Sequence, residues 1–382
     1  MRTMKHLHLI ATIAVANLLL AGCASPTSSH DGSSTAATTG SSSPSPYPAP
    51  SSSTQVYGSG ATFPKPLIES WGIIYANHQP TVQVTYGGGG SGKGIKDITA
   101  KDVFFGGSDA PMSASEKAAA PGILQFPETL GLVAVVYNVA GLDNGLKLDG
   151  ETIGKIYLGA ITKWNDAAIA ALNPGVTLPD AAIAIVYRSD SSGTTFAFTD
   201  FLARSSPSWA GAMGSVASKK PDWTKSSARQ LSGNGNDGVG STVKTTANAI
   251  GYVELAFVKS LDLDAANVKS KDGAFLAPTT AGASAAAASV TDLPAPDGDW
   301  SKVSIAYAPG ATSYPISTYS YMMVYGSLSA YGSKATTDQM AAFKAWMWWA
   351  LHDGQSYSET LGYAKLPANA VTLGEGALAS MT

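Results

Sequence analysis

Three short stretches rich in Gly, Ser and Thr punctuate this chain: GSGATFP (58–64), GGGGSGKG (87–94) and RSDSSGTTF (188–196). Each falls where a strand-like run gives way to a helical pattern. Helix N-termini leave backbone N–H groups unpartnered and carry partial positive charge. Glycine lets backbone approach a ligand closely, and Ser and Thr add hydroxyl donors. One such junction is a common turn. Three in one chain, with Arg188 inside the third, point to a small tetrahedral anion enclosed from several sides.

The runs between the junctions set the fold class. Val82–Tyr86 alternates as a strand, Gly94–Lys101 reads as a short helix, and Val103–Phe105 as a buried strand. Leu130–Val139, Ile183–Tyr187, Ile250–Phe257 and Ile316–Tyr325 read as further strands. Leu148–Leu158, Thr195–Ala203 and Thr337–Leu351 read as helices. Residues 277–298, rich in Ala, Thr, Pro and Gly, leave helix and loop open. The alternation predicts an α/β protein with parallel or mixed sheets and helices on both faces.

Residues 1–22 read as an export leader. Arg2 and Lys5 supply its positive start and Leu9–Leu20 a short apolar stretch. It ends in Leu20-Ala21-Gly22-Cys23, which resembles a bacterial lipobox and implies cleavage before Cys23 and lipid on its sulfur. Cys23 is the one cysteine, so no intrachain disulfide can form. Residues 23–54 are dominated by Ser, Thr, Ala, Pro and Gly and read as a flexible tether that buries no core. Residues 55–382 are long enough for two globular lobes.

Charge narrows the function. The formal net charge is −3, and loss of Arg2 and Lys5 with the leader takes it to −5. A mildly acidic chain is a poor nucleic-acid binder. It can still hold an anion through backbone N–H groups and hydroxyls. A metal centre lacks ligands: His6 and His8 leave with the leader, His30 lies in the tether, and His78 and His352 have no ligand-spaced partner. The Trp residues at 346, 348 and 349 read as core packing.

Taken singly, the motifs keep more ordinary readings beside the functional one. In GSGATFP, Thr62 caps or begins a helix and Pro64 suits its first turn, as in any strand-to-helix connection. GGGGSGKG starts like a phosphate loop, but Gly94 stands where a magnesium-holding Ser or Thr belongs. What remains is Ser91 at a Gly-rich helix terminus, or a flexible turn. In RSDSSGTTF, Arg188 follows a buried strand and can grip an anion bidentately, with Asp190 to orient it and Ser192, Gly193 and Thr194 opening the helix. The plainer alternative is a surface Arg–Asp pair beside a capped helix. Asp109 follows another strand. It can accept a hydrogen bond from protonated phosphate and repel sulfate, or simply cap the next helix.

Together, GSGATFP, GGGGSGKG, GGSDAP, QFPETLG, IYLGAITKWND, RSDSSGTTFAFTDFL, GNGNDGV and AIGYVE resemble, in order and spacing, the high-affinity phosphate-binding proteins of bacterial ABC phosphate uptake. The resemblance runs from about Val56 to near the C-terminus. It implies a two-lobed periplasmic-binding-protein-like fold of type II with one dehydrated phosphate between the lobes. The implied lobes are 55–129 with 316–382, and 130–315. Carried over, Thr62, Phe63 and Ser91 would donate, Asp109 would accept the phosphate proton, and Arg188 would be the charged donor with Asp190 beside it. Ser192, Gly193 and Thr194 would complete the cradle. Gly92 stands where the family often has a second Ser, and Tyr187 where a second Arg occurs.

The resemblance implies binding rather than turnover, with no catalytic residue, cofactor or metal. Partners would be inorganic phosphate and the membrane permease subunits, and the receptor would be a monomer held by lipid to the outer face of the cytoplasmic membrane. Two other readings stand beside it. An exported phosphatase would need a nucleophile and a base, and Ser192 has no histidine near it in sequence. A surface adhesin or signalling lipoprotein would use the same fold without transport.

Overall fold

In the computed structural model, residues 45–382 are described. The leader, Cys23 and the tether up to residue 44 lie outside the described residues. The strands of the main sheet are β1 (Thr54–Gly60), β2 (Val82–Gly87), β3 (Phe105–Ser108), β4 (Ile123–Asn138), β5 (Ala184–Arg188), β6 (Arg229–Gly233), β7 (Ala249–Glu254), β8 (Asp264–Ala265) and β9 (Ser317–Tyr325). The helices that matter below are α1 (Lys65–His78), α2 (Ser91–Ala100), α3 (Gly150–Leu158), α4 (Gly193–Ser205), α5 (Gly235–Thr245), α6 (Leu255–Leu261), α7 (Thr280–Ala287) and α8 (Thr337–Leu351).

Strand order is β2-β1-β3-β9-β4-β7-β5-β6, with β8 beside β4. β1 pairs in parallel with β2 and β3, and β5 in parallel with β6 and β7. Between these groups runs the long strand β4. Its first part pairs antiparallel with β9, from Ile123↔Tyr325 to Leu132↔Ser317. Its second part pairs antiparallel with β7, from Val133↔Glu254 to Asn138↔Ala249. Fully buried aromatics pack behind the sheet; Phe105 meets Trp346 of α8 at a ring distance of 5.3 Å. Among the described residues, no helix is long and apolar enough to cross a membrane.

Packed structure begins before residue 55. The Tyr47 ring packs edge-on against Trp348 at 5.8 Å and lies under Lys344 Nζ at 4.6 Å. Ser52 Oγ donates to Asp338 at 2.8 Å, and β1 starts at Thr54.

Several element boundaries differ from the sequence expectation, each for a local reason. The strand expected at Val103–Phe105 runs over Phe105–Ser108 instead. Val103 and Phe104 are buried in the preceding turn, and the glycines Gly106 and Gly107 form the strand because its neighbours need bare backbone. A Cβ at Gly60, where φ is +143°, would stand 2.9 Å from Gly94 Cα. The short helix α2 starts at Ser91 rather than Gly94. The run Ile250–Phe257 is strand only to Glu254; there the Glu254 carboxylate accepts from Ala256 N–H at 2.8 Å and caps α6. Residues 277–298 contain α7, capped by Thr279, with Ala283 and Ala286 buried.

β4 starts at Ile123, seven residues before the expected Leu130, and carries Pro127 within it. Proline has no N–H for the ladder and sits in a sheet interior mainly at bulges. The register supplies one: Ser320 faces Thr129 and Tyr321 faces Pro127, which leaves Glu128 unopposed.

Candidate anion-binding site

The three Gly-rich junctions meet at one buried point. β5 delivers Arg188, whose side chain is 1% exposed, so the surface-pair alternative fails. Its Nε donates to Asp190 Oδ1 at 2.8 Å and its Nη2 to Asp190 Oδ2 at 2.5 Å. Nη1 donates to Thr194 Oγ1 at 3.1 Å. Asp190 also accepts from Gly235 N–H at 3.2 Å. Burial pushes the Asp190 carboxyl up, but the Arg188 bonds and charge outweigh it and hold it below the usual range. Ser192 caps α4, accepting from Thr195 N–H at 3.0 Å, so Gly193 and Thr194 form its first turn. N–H groups of a first helical turn have no intrahelical partner.

From β2, Gly89 (φ +136°) and Gly90 (φ +92°) turn the chain into α2 at Ser91. Ser91 Oγ accepts from Asp109 N–H at 3.1 Å. Gly92 N–H donates to Ser191 O at 2.9 Å, tying this junction to the third. From β1, Thr62 and Phe63 lead into α1. Thr62 does not cap that helix: Pro64 holds the cap position. The Thr62 hydroxyl instead accepts from Asn236 N–H and Nδ2–H, each at 3.1 Å. Phe63 is buried against Tyr363, whose hydroxyl donates to the Phe63 carbonyl at 2.6 Å.

Asp109 lies just past β3 and is 1% exposed. It does not cap the next helix, Ala114–Ala118, which Ser113 caps. Its Oδ1 accepts from Ser320 Oγ at 2.9 Å. Its Oδ2 faces α4, 2.7 Å from where a Cβ on Gly193 would stand. Gly193 is thus the residue that lets helix and carboxylate share one small space. Burial raises the Asp109 carboxyl to about 7, against the opposing effects of the Ser320 bond and Arg188.

Thr62, Phe63, Ser91, Asp109, Arg188, Asp190, Ser192, Gly193 and Thr194 therefore gather around one site. It combines a buried guanidinium, a helix N-terminus, hydroxyls and one acceptor carboxylate. Among the described residues, no group of three or more His, Cys, Asp and Glu stands ready to hold a metal ion.

Asn236, Ser320 and Glu128 also belong to the network, though sequence reasoning assigned them no role. Asn236 Nδ2 donates to Thr62 and to Thr194, each at 3.1 Å, and its Oδ1 accepts from Glu254 N–H at 3.1 Å. Its signal was a fourth Gly-rich strand-to-helix junction in GNGNDGV, where Gly235 has φ +71°. Replacing Asn236 by Ala strands the Glu254 N–H and takes one donor each from the Thr62 and Thr194 hydroxyls, which keep the residue-236 N–H and Arg188 Nη1 as donors. We expect a loss of about 1–3 kcal/mol of stability, read by denaturant unfolding; an unchanged midpoint would count against its bridging role.

With this geometry in view, comparisons with known proteins place the chain. A family model described as the PBP superfamily domain matches residues 34–351. The phosphate-binding protein PstS of Xylella fastidiosa (strain 9a5c) is 36% identical over 326 residues, 84% of this chain and 83% of that protein. The chain belongs to the PstS family. PstS of Pasteurella multocida is likewise 36% identical, over 83% of this chain and 87% of its own. The subatomic-resolution structure of PfluDING, a high-affinity periplasmic phosphate-binding protein bound with phosphate, aligns with a TM-score of 0.67 at 20% identity, over 84% of this chain and 92% of that one. That likeness establishes the shared fold: an α/β, two-lobed periplasmic-binding-protein-like fold of type II. Within the PstS family fold, the three junctions and the Asp109 loop form the buried site described above.

Proposed function

We propose that this chain is an extracytoplasmic receptor that binds inorganic phosphate and delivers it to an ABC import permease. The observation that carries the reading is Asp109 Oδ2 facing the N-terminus of α4 while Arg188 is buried behind it. The guanidinium, the helix terminus and the hydroxyls favour an anion. A carboxylate aimed at the same space favours one that brings a proton. Hydrogen phosphate does; sulfate near neutrality does not, and would meet the carboxylate lone pairs directly. Arg188 is already paired with Asp190, so selection would rest on dipoles and hydrogen bonds more than net charge.

Thr62, Phe63, Ser91, Arg188, Ser192, Gly193 and Thr194 are the proposed donors, with Asp190 orienting Arg188. Turnover is not part of the reading: the Ser192 hydroxyl accepts from Thr195 N–H, as a cap does. The proposed lobes, 55–129 with 316–382 and 130–315, would hinge where β4 changes partner between Leu132 and Val133. Three contacts between them support a closed arrangement: Gly92 with Ser191, Thr62 with Asn236, and the Lys219–Glu116 ion pair at 2.5 Å. Lipidation at Cys23 would hold the monomeric receptor at the outer face of the cytoplasmic membrane, within reach of the permease.

The test is calorimetric titration of the folded protein, stripped of bound phosphate, with phosphate and then sulfate. Tight one-to-one phosphate binding with silent sulfate is expected. Arsenate, similar in size and protonation, should also give measurable heat. Silence for phosphate and sulfate alike would sink the receptor and shift weight to an exported phosphatase or a surface adhesin.

A further inference from the structure

The bulge in β4 puts a second buried carboxyl next to Asp109. Ser320 Oγ lies 2.9 Å from Asp109 Oδ1 and 3.0 Å from Glu128 Oε1, and all three side chains are buried. A serine hydroxyl carries one proton, so it can donate to only one of the two oxygens. With both carboxyls ionised, the other oxygen would meet a serine lone pair at hydrogen-bond distance with no proton between them. The triad therefore holds one proton more than two carboxylates and a serine.

The surroundings decide where that proton sits. Arg188 favours the ionised form of Asp109. The groups that act on Glu128 are Ser320 and the Asp109 carboxylate itself, and burial pushes Glu128 further up, to about 8. The other titratable groups coupled to Glu128 are the phenols of Tyr86 and Tyr363. Those hydroxyls donate to the carbonyls of Ala61 and Phe63. Among the described residues, Glu128 Oε2 is buried without a hydrogen-bond partner. An unpartnered oxygen is tolerable on a neutral acid and costly on a carboxylate.

We propose that Glu128 is a positioning residue: a neutral carboxylic acid that donates to Ser320 Oγ, so that Ser320 donates to Asp109 and leaves Asp109 a pure acceptor toward the anion. The order of donation is Glu128 to Ser320 to Asp109 Oδ1, and it ends at a carboxylate whose Oδ2 faces Gly193. Glu128 never touches the ligand. It fixes the direction of the chain, and with it the requirement that the ligand supply its own proton. The inference rests on the phosphate-receptor reading.

The experiment titrates phosphate into the full chain as wild type, Glu128→Gln, Glu128→Ala and Ser320→Ala, at about pH 7 and about pH 7.5, at or above the Asp109 value of about 7 and below the Glu128 value of about 8. Wild type comes first; no phosphate heat there would overturn the receptor reading and leave the comparison of variants unneeded. Glutamine carries the same donor as a neutral acid. Glu128→Gln should therefore bind phosphate within about threefold of wild type at both pH values. Glu128→Ala and Ser320→Ala break the chain and should bind about 10–100-fold more weakly. An ionised Glu128 predicts otherwise: Glu128→Gln would remove a buried negative charge and tighten phosphate well beyond threefold at the higher pH. Any departure of Glu128→Gln beyond threefold, or a Ser320→Ala affinity equal to wild type, overturns the proposal. Should Glu128→Gln fail to fold, Ser320→Ala decides alone. It is checked by difference infrared spectroscopy, in which the protonated-carboxyl band must move relative to wild type.

Discussion

Arg188→Ala should abolish phosphate binding and leave the protein markedly less stable. Arg188 and Asp190 form a bidentate pair with side chains 1% and 9% exposed. Removing the guanidinium leaves Asp190 with backbone N–H donors, Gly235 N–H at 3.2 Å among them. Breaking a buried pair from one side costs about 3–5 kcal/mol, because the remaining charge stays out of water. The site also loses its one buried cation, and the expected fall in affinity is at least ~10³-fold, two charge-assisted bonds' worth. The double variant Arg188→Ala/Asp190→Asn separates the two effects. It should recover most of the stability and none of the binding. The pH dependence has a definite sign. Asp190 is held below its ordinary range when folded, so the pair stabilises wild type above the unfolded aspartate value near 3.9 and loses that contribution as pH falls below it. In Arg188→Ala that acid-side loss should vanish. Denaturant unfolding at several pH values and one phosphate titration read all of this. A variant that melts and binds like wild type would remove Arg188 from the site.

Much of this arrangement is legible in the sequence, and what is not has physical causes. Gly-rich junctions are local features: the residues that turn the chain are neighbours, so the N–H groups of their helix N-termini can be placed without a fold. Arg188, Asp190, Ser192, Gly193 and Thr194 read as one cluster in sequence for that reason, and the fold keeps them together. Asn236 was missed because Gly-Asn-Gly-Asn reads as a turn, and its partner Thr62 is 174 residues away. Glu128 and Ser320 are 192 residues apart. Their contact exists only because β9 and β4 pair with a one-residue slip, a register that no local pattern encodes. Proline in QFPETLG disfavours a sheet interior, while the bulge that admits it is set by the partner strand. Periodicity could not tell that Ile250–Phe257 changes from strand to helix at Glu254, since a short apolar run suits either. The two-glycine stretch of β3 is similar: glycine signals a turn in sequence, and in the fold it serves close backbone approach.

The sharpest consequence concerns discrimination. Asp109→Asn should still bind phosphate and should admit sulfate. The asparagine carbonyl keeps the Ser320 hydrogen bond, and the amide then presents N–H donors toward the N-terminus of α4 in place of a carboxylate oxygen. Phosphate loses the acceptor for its proton, at a cost of about 1–3 kcal/mol, or roughly 5–150-fold in affinity. Sulfate loses a clash with a buried charge and gains a donor. A phosphate preference on the order of thousands-fold should therefore shrink to within about tenfold. Stability should move the opposite way from affinity. Burial raises the Asp109 carboxyl to about 7 when folded, far above its unfolded value, so the native state holds the extra proton. Stability from this group is fully present below the unfolded value near 3.9 and declines as pH rises toward about 7. Asparagine has nothing to titrate. Phosphate-free Asp109→Asn should thus melt higher than wild type at about pH 8, with the gap closing as pH falls toward about 4. Thermal melts across that range and paired phosphate and sulfate titrations measure both halves. Sulfate silence in a folded, phosphate-binding Asp109→Asn protein would show that selection lies elsewhere in the cradle, in its size or in its hydroxyls.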